Sequence, residues 1–232
     1  MTLDPSARDH LVLALDVGAL DECEALARKL GAWFSTVKVG LELYAEAGPE
    51  AVARLRDQGF RVFADLKLHD IPNTVGRAAR VLGRHGVDFL NFHAAGGEVM
   101  LRAGVDGLRE GARDAGHARP IALGVTVLTS ESDTSAFDAR LEASRASGCD
   151  GVVCSGHEIG RARAVSLRTM VPGVRFADGE TQDQARVATP RAAIVAGADW
   201  LVVGRAVTAA PDPAAAAAAL HDEVAAALAA RS

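Results

Sequence analysis

Eight times between Leu11 and the end of the chain, a short apolar run is followed by a segment whose apolar residues recur at helical spacing. The runs cover residues 11–16, 36–40, 61–66, 88–93, 120–127, 150–154, 173–176 and 199–204; the helical segments cover 20–30, 49–59, 73–85, 98–115, 137–147, 156–167, 189–196 and 212–230. Short apolar runs without strict alternation suit strands buried on both faces, which calls for a parallel sheet covered by helices. A closed (β/α)8 TIM barrel and an open doubly wound sheet both satisfy this pattern. No G-x-G-x-x-G follows the first run, and neither a linker nor a shift of composition interrupts the rhythm. The expectation is therefore a single α/β domain, a (β/α)8 TIM barrel over residues 1–232, with 1–10 a short N-terminal extension and 212–230 a C-terminal helix.

In a parallel barrel the chemistry sits at the C-terminal ends of the strands. The third run leads there into Asp65-Leu66-Lys67-Leu68-His69-Asp70-Ile71-Pro72-Asn73-Thr74. Strand side chains alternate, so Asp65 and Lys67 share one face and Leu66 and Leu68 the other. Pro72 suits the first turn of a following helix. An isolated D-x-K reads as a surface ion pair, but here Asp16 ends the first run, Lys38 lies inside the second and Asp70 follows closely. His93, Thr129, Arg175, Gly204 and Arg205 also fall near strand ends.

Two lysines and three carboxylates at one mouth are costly to desolvate unless they alternate and pair. A lysine between carboxylates is held as an ammonium, which makes Lys67 a proton donor and not a Schiff-base nucleophile. An ammonium about 4 Å from a developing anion is worth roughly 4 kcal/mol at an effective dielectric of 20. A carbanion could be stabilised in this way without a cofactor. Gly204-Arg205 after the eighth run, with residues 206–210 able to form a short helix, is a candidate phosphate site, and Gln184 in the polar segment 177–188 a candidate lid residue over it. His69 and His93 suit no compact metal motif and are read as supporting residues.

These residues resemble the orotidine 5′-phosphate decarboxylases of pyrimidine biosynthesis. The resemblance runs from Leu11 to about Pro213 and rests on residues 13–16, 37–40, 65–74, 125–130 and 203–205. It implies a lyase that decarboxylates orotidine 5′-monophosphate to UMP without metal or organic cofactor, as a homodimer with sites at the subunit interface. By resemblance, Lys67 would protonate C6 of the pyrimidine, Asp65 would face the leaving carboxylate, and Lys38 and Asp70 would complete the charged row. Asp70, Ile71 and Thr74 would reach into the partner's site, and Asp16 and Lys38 would hold ribose hydroxyls. Thr129 and Ser130 would meet the pyrimidine, and Gln184, Gly204 and Arg205 the phosphate, with Arg175 a further contact. One departure is Phe176, where family members often carry proline.

The alternatives are a metal-dependent sugar-phosphate decarboxylase or aldolase of the same superfamily, which shares a D-x-K-x-x-D pattern, and a non-catalytic nucleotide-binding barrel. A formal net charge of −5 without any basic block argues against a nucleic-acid partner. No run of about 18 apolar residues suggests a membrane span, and no apolar leader opens the chain. With Cys23, Cys149 and Cys154 read as reduced core thiols, the expected location is cytoplasmic.

Overall fold

The computed structural model describes residues 4–128, 130–131, 133–176 and 188–231. Its elements run α1 (Pro5–Asp9), β1 (Leu11–Ala14), α2 (Leu20–Leu30), β2 (Thr36–Val39), α3 (Leu41–Ala47), α4 (Pro49–Asp57), β3 (Arg61–Leu68), α5 (Pro72–Arg84), β4 (Phe89–His93), α6 (Gly97–Asp114), β5 (Ile121–Val125), α7 (Phe137–Ala146), β6 (Gly151–Val153), α8 (Ile159–Ala164), β7 (Arg168–Pro172), α9 (Pro190–Val195), β8 (Trp200–Val203), α10 (Arg205–Thr208) and α11 (Pro213–Arg231). The strands pair in sequence order, all parallel, and β1 closes on β8. This is the expected eight-stranded barrel.

Strand alternation divides the core into two layers. Val12, Phe63, Phe89, Leu123, Met170 and Trp200 fill the barrel interior, while their neighbours Leu13, Val37, Val62, Leu90 and Leu201 pack outward with the helices. At the N-terminal ends of the strands, Phe89 meets Phe63 and Trp200 edge to face, at centroid distances of 6.1 and 5.1 Å. Arg61 and Arg168 cover the rings of Phe89 and Trp200. The mouth at the opposite end therefore stands on a packed floor, not a pore.

Helix α5, which begins directly after the charged loop, lies unusually close to α6. A Cβ on Gly107 would stand 2.1 Å from the carbonyl oxygen of Gly76, so only glycine permits this approach. The close packing fixes the direction in which the chain leaves β3.

Two expectations need correction, and two helices, α1 and α3, are additions to them. The seventh strand is Arg168–Pro172 and not 173–176, which form a loop; the preceding helix ends at Ala164 and not at 167. The break falls at Ser166, whose φ of +62° turns the chain without a glycine to mark it. Thr169, Met170 and Val171 are fully buried in β7, whereas 173–176 lie beyond its last pairing, Pro172 with Val202. The 1–10 extension contains α1, tied to α11 by the contact between His221 Nε2 and the Asp4 carbonyl. An additional helix, α3, also separates β2 from α4.

Candidate active site

Four charged groups from three strands form a row across the mouth. Asp16 follows β1, Lys38 points inward from β2, and Asp65 and Lys67 come from the end of β3. Lys38 Nζ lies 2.8 Å from Asp16 Oδ1 and 3.4 Å from Asp65 Oδ2, and Lys67 Nζ lies 2.7 Å from Asp65 Oδ1. The order is anion, cation, anion, cation, so no two like charges are neighbours in the row. Gly40 makes room for it, since a Cβ there would meet Asp16 Oδ1 at 3.1 Å and Lys38 Nζ at 3.2 Å.

Burial drives the Asp65 carboxyl towards its protonated form, but Lys38 and Lys67, with hydrogen bonds from Lys67 and Asn91, outweigh it and hold the group below the usual carboxylate range. Lys67 has a backbone φ of +48°, a conformation that costs a non-glycine residue about 1–3 kcal/mol. Its N–H donates to Asn91 Oδ1 at 2.7 Å, and Asn91 Nδ2 donates to Asp65 Oδ1 at 2.7 Å.

Two cavities meet at this row. One is walled by Phe63, Val125, Val127, Leu128, Val153 and Val202, with Lys38, Asp65 and Lys67 on its charged side. The other is lined by Asp16, Lys38, Asp65, Gly173, Arg175, Gly204 and Arg205. Lys38, Asp65, Pro172 and Val202 belong to both. An apolar slot thus opens beside a slot bearing two guanidinium groups, and a few charged side chains line the boundary.

Residues 9–220 match the family model described as the orotidine 5′-phosphate decarboxylase / HUMPS family. The chain belongs to this family. The orotidine 5′-phosphate decarboxylase of Nitratidesulfovibrio vulgaris (strain DP4) is 48% identical over 231 residues, covering 94% of this chain and 98% of the relative. That of Moorella thermoacetica is 45% identical, covering 94% and 93%. The crystal structure of orotidine 5′-phosphate decarboxylase from Lactobacillus acidophilus superposes with a TM-score of 0.80 at 35% identity, covering 92% of this chain and 98% of that one.

Within this decarboxylase-family barrel, Asp16, Lys38, Asp65, Lys67, Arg175, Gly204 and Arg205 are brought together as the sequence suggested. Asp70 is not. Its side chain is exposed and accepts the Ile71 N–H at 2.6 Å, so the row within one chain contains two carboxylates and not three. Ile71 and Thr74 are exposed beside it. Ser130 lies in an exposed turn after β5, two residues beyond the cavity-lining Leu128. Thr129 and Gln184 lie outside the described residues.

Phe176, at the departure from the family's proline, packs against the outer core. His69 and His93 stack at 5.3 Å on the rim; burial, Arg140 and His69 lower the His93 pKa. Asn91 was missed by sequence reasoning, because it reads as an interruption of an apolar strand; the only signal was an amide in a run that otherwise buries hydrophobic side chains. All three cysteines are buried with no disulfide between them, and burial pushes Cys23 up to about 12 and Cys149 to about 11, as befits core thiols.

Proposed function

We propose that this protein decarboxylates orotidine 5′-monophosphate to UMP without a cofactor. The observation that carries the reading is the junction of the two cavities: an apolar slot, suited to a base, ends on the Lys38–Asp65–Lys67 row, and the adjoining slot offers Arg175 and Arg205 to a phosphate. In this reading Lys38, which lines both slots, and Asp16, which lines the second, hold ribose hydroxyls.

In this reading the substrate carboxylate lies beside Asp65, itself ionised and largely shielded from water. Repulsion between the two carboxylates opposes the ground state and disappears as the C6–carboxylate bond breaks and neutral CO2 leaves. The electron pair remains on C6. The Lys67 ammonium stabilises that developing charge and then transfers a proton from Nζ to C6, giving UMP. These groups are arranged before substrate arrives, so little reorganisation accompanies the chemical step.

We further infer a homodimer in which Asp70, Ile71 and Thr74 complete the partner's site. In support, Leu41, Ile71 and Val99 are 61%, 66% and 72% exposed and follow β2, β3 and β4 at the same end of the barrel. Exposed apolar side chains beside a mouth are ones that association would cover. The buried thiols suit a reducing cytoplasm, and no described helix is long and apolar enough to cross a membrane.

The test is the loss of orotidine 5′-monophosphate absorbance on adding purified protein, with and without EDTA. Rapid loss unaffected by EDTA is expected. Loss abolished by chelation would replace this reading with a metal-dependent sugar-phosphate lyase chemistry, and no loss from folded dimer would leave a nucleotide-binding barrel.

A further inference from the structure

The hydrogen-bond ladder between β3 and β4 is interrupted at the site. Ala64 pairs with Leu90 and Leu68 with Phe92, so Asp65, Leu66 and Lys67 stand opposite the single residue Asn91. A bulge leaves backbone groups of the longer strand without ladder partners. The Asn91 side chain fills this gap: its carbonyl oxygen accepts the Lys67 N–H, and its amide nitrogen donates to Asp65 Oδ1.

Asn91 is fully buried, on the inward face shared with Phe89 of the apolar interior. A polar group in that setting is costly unless it is hydrogen-bonded, and both ends of this amide are engaged. The chemistry required is narrow. Aspartate has an acceptor but no donor when ionised, leucine has neither, and glutamine is one methylene too long.

Resting on the decarboxylase reading above, we infer that Asn91 is a positioning residue of the reaction: it holds the left-handed turn at Lys67 and the orientation of Asp65, and so sets where ammonium and carboxylate meet the substrate. It touches neither the substrate nor a transferred proton. A strand that supplies no charge to the row thereby determines the row's geometry.

The test uses the intact chain carrying Asn91→Asp or Asn91→Ala, with folding checked by circular dichroism. The first keeps the shape and the acceptor but sets a charge in place of the donor; the second removes both. In each, kcat is expected to fall by about 100-fold or more, the loss associated with a misplacement of order 1 Å, while the UMP inhibition constant stays within about threefold. In Asn91→Asp the acid limb of the kcat profile moves to higher pH, because a second carboxylate faces Asp65, whose other charged neighbours are Lys38 and Lys67. Amide hydrogen exchange at Lys67, slow in the wild type, accelerates in Asn91→Ala.

A folded Asn91→Asp with kcat within about threefold of wild type and an unmoved acid limb overturns the inference. Loss of UMP affinity in step with kcat also overturns it, by making Asn91 a general prop of the mouth. If Asn91→Ala does not fold, Asn91→Asp alone decides. A wild-type chain that leaves orotidine 5′-monophosphate unchanged overturns the functional reading itself; failure of this inference alone appears as an active wild type with indifferent variants.

Discussion

Replacing Lys67 by alanine separates chemistry from binding. The fold is expected to survive. The lysine side chain is one-third exposed, at 33%, and its removal does not strand the buried carboxylate, because Asp65 keeps Lys38 at 3.4 Å and Asn91 at 2.7 Å. The loss of stability is therefore about 1 kcal/mol, well below the roughly 3–5 kcal/mol that follows when a buried charge loses its only partner. The catalytic loss is much larger. An ammonium about 4 Å from the carbanion contributes roughly 4 kcal/mol at an effective dielectric of 20, or about 10³ in rate. Removing a general acid costs about a further 10²–10⁴. Together, kcat for Lys67→Ala is expected to fall by about 10⁵ or more, while UMP, which carries no charge at C6, binds within about tenfold of wild type. Single-turnover loss of substrate absorbance measures the first quantity, and titration calorimetry with UMP the second. Turnover within about tenfold of wild type would refute the assignment of Lys67 as the acid. A parallel collapse of UMP affinity would show that the lysine acts on the ground state instead.

Arg205→Ala should raise KM far more than it lowers kcat, because a guanidinium on the phosphate acts before and during the reaction alike; an unchanged KM would place the phosphate elsewhere. Mixing inactive Lys67→Ala with inactive Asp70→Ala subunits should restore measurable activity if sites are shared across a dimer, and no recovery despite proven subunit exchange counts against sharing. Asp65 also links stability to pH. Its folded pKa lies below the unfolded value, so its contribution is present above about pH 4 and is lost as pH falls through the folded pKa. The difference in unfolding free energy between wild type and Asp65→Asn should therefore shrink on acidification below about pH 4; a constant difference would refute the linkage.

The charged stretch at the end of β3 was legible because it obeys local rules. Period-two alternation places Asp65 and Lys67 on one face, and the two do form a 2.7 Å pair. Asp16, Gly204 and Arg205 were found at the ends of apolar runs and Lys38 inside one, because parallel connections return every strand in one direction and collect those ends at one mouth. Strand β7 was misplaced for an equally local reason. Arg168–Pro172 begins with a charge and ends with proline, and the turn before it is made by Ser166 instead of glycine. Short strands with such ends carry little pattern of their own; burial between β6 and β8 determines them.

By itself, then, the amino-acid sequence determined the barrel, the face on which the charged residues lie and the end of the barrel at which they gather, because those follow from periodicity and chain direction. Tertiary structure alone decided the details that make the row a site. The partner of the Lys67 N–H lies 24 residues away on another strand, and it is a partner only because the ladder slips between Ala64 and Leu68. Asp70, near in sequence, stays outside the row because its loop turns it to solvent. Contacts between distant segments depend on register and packing, and neither is written in the spacing of residues along one segment.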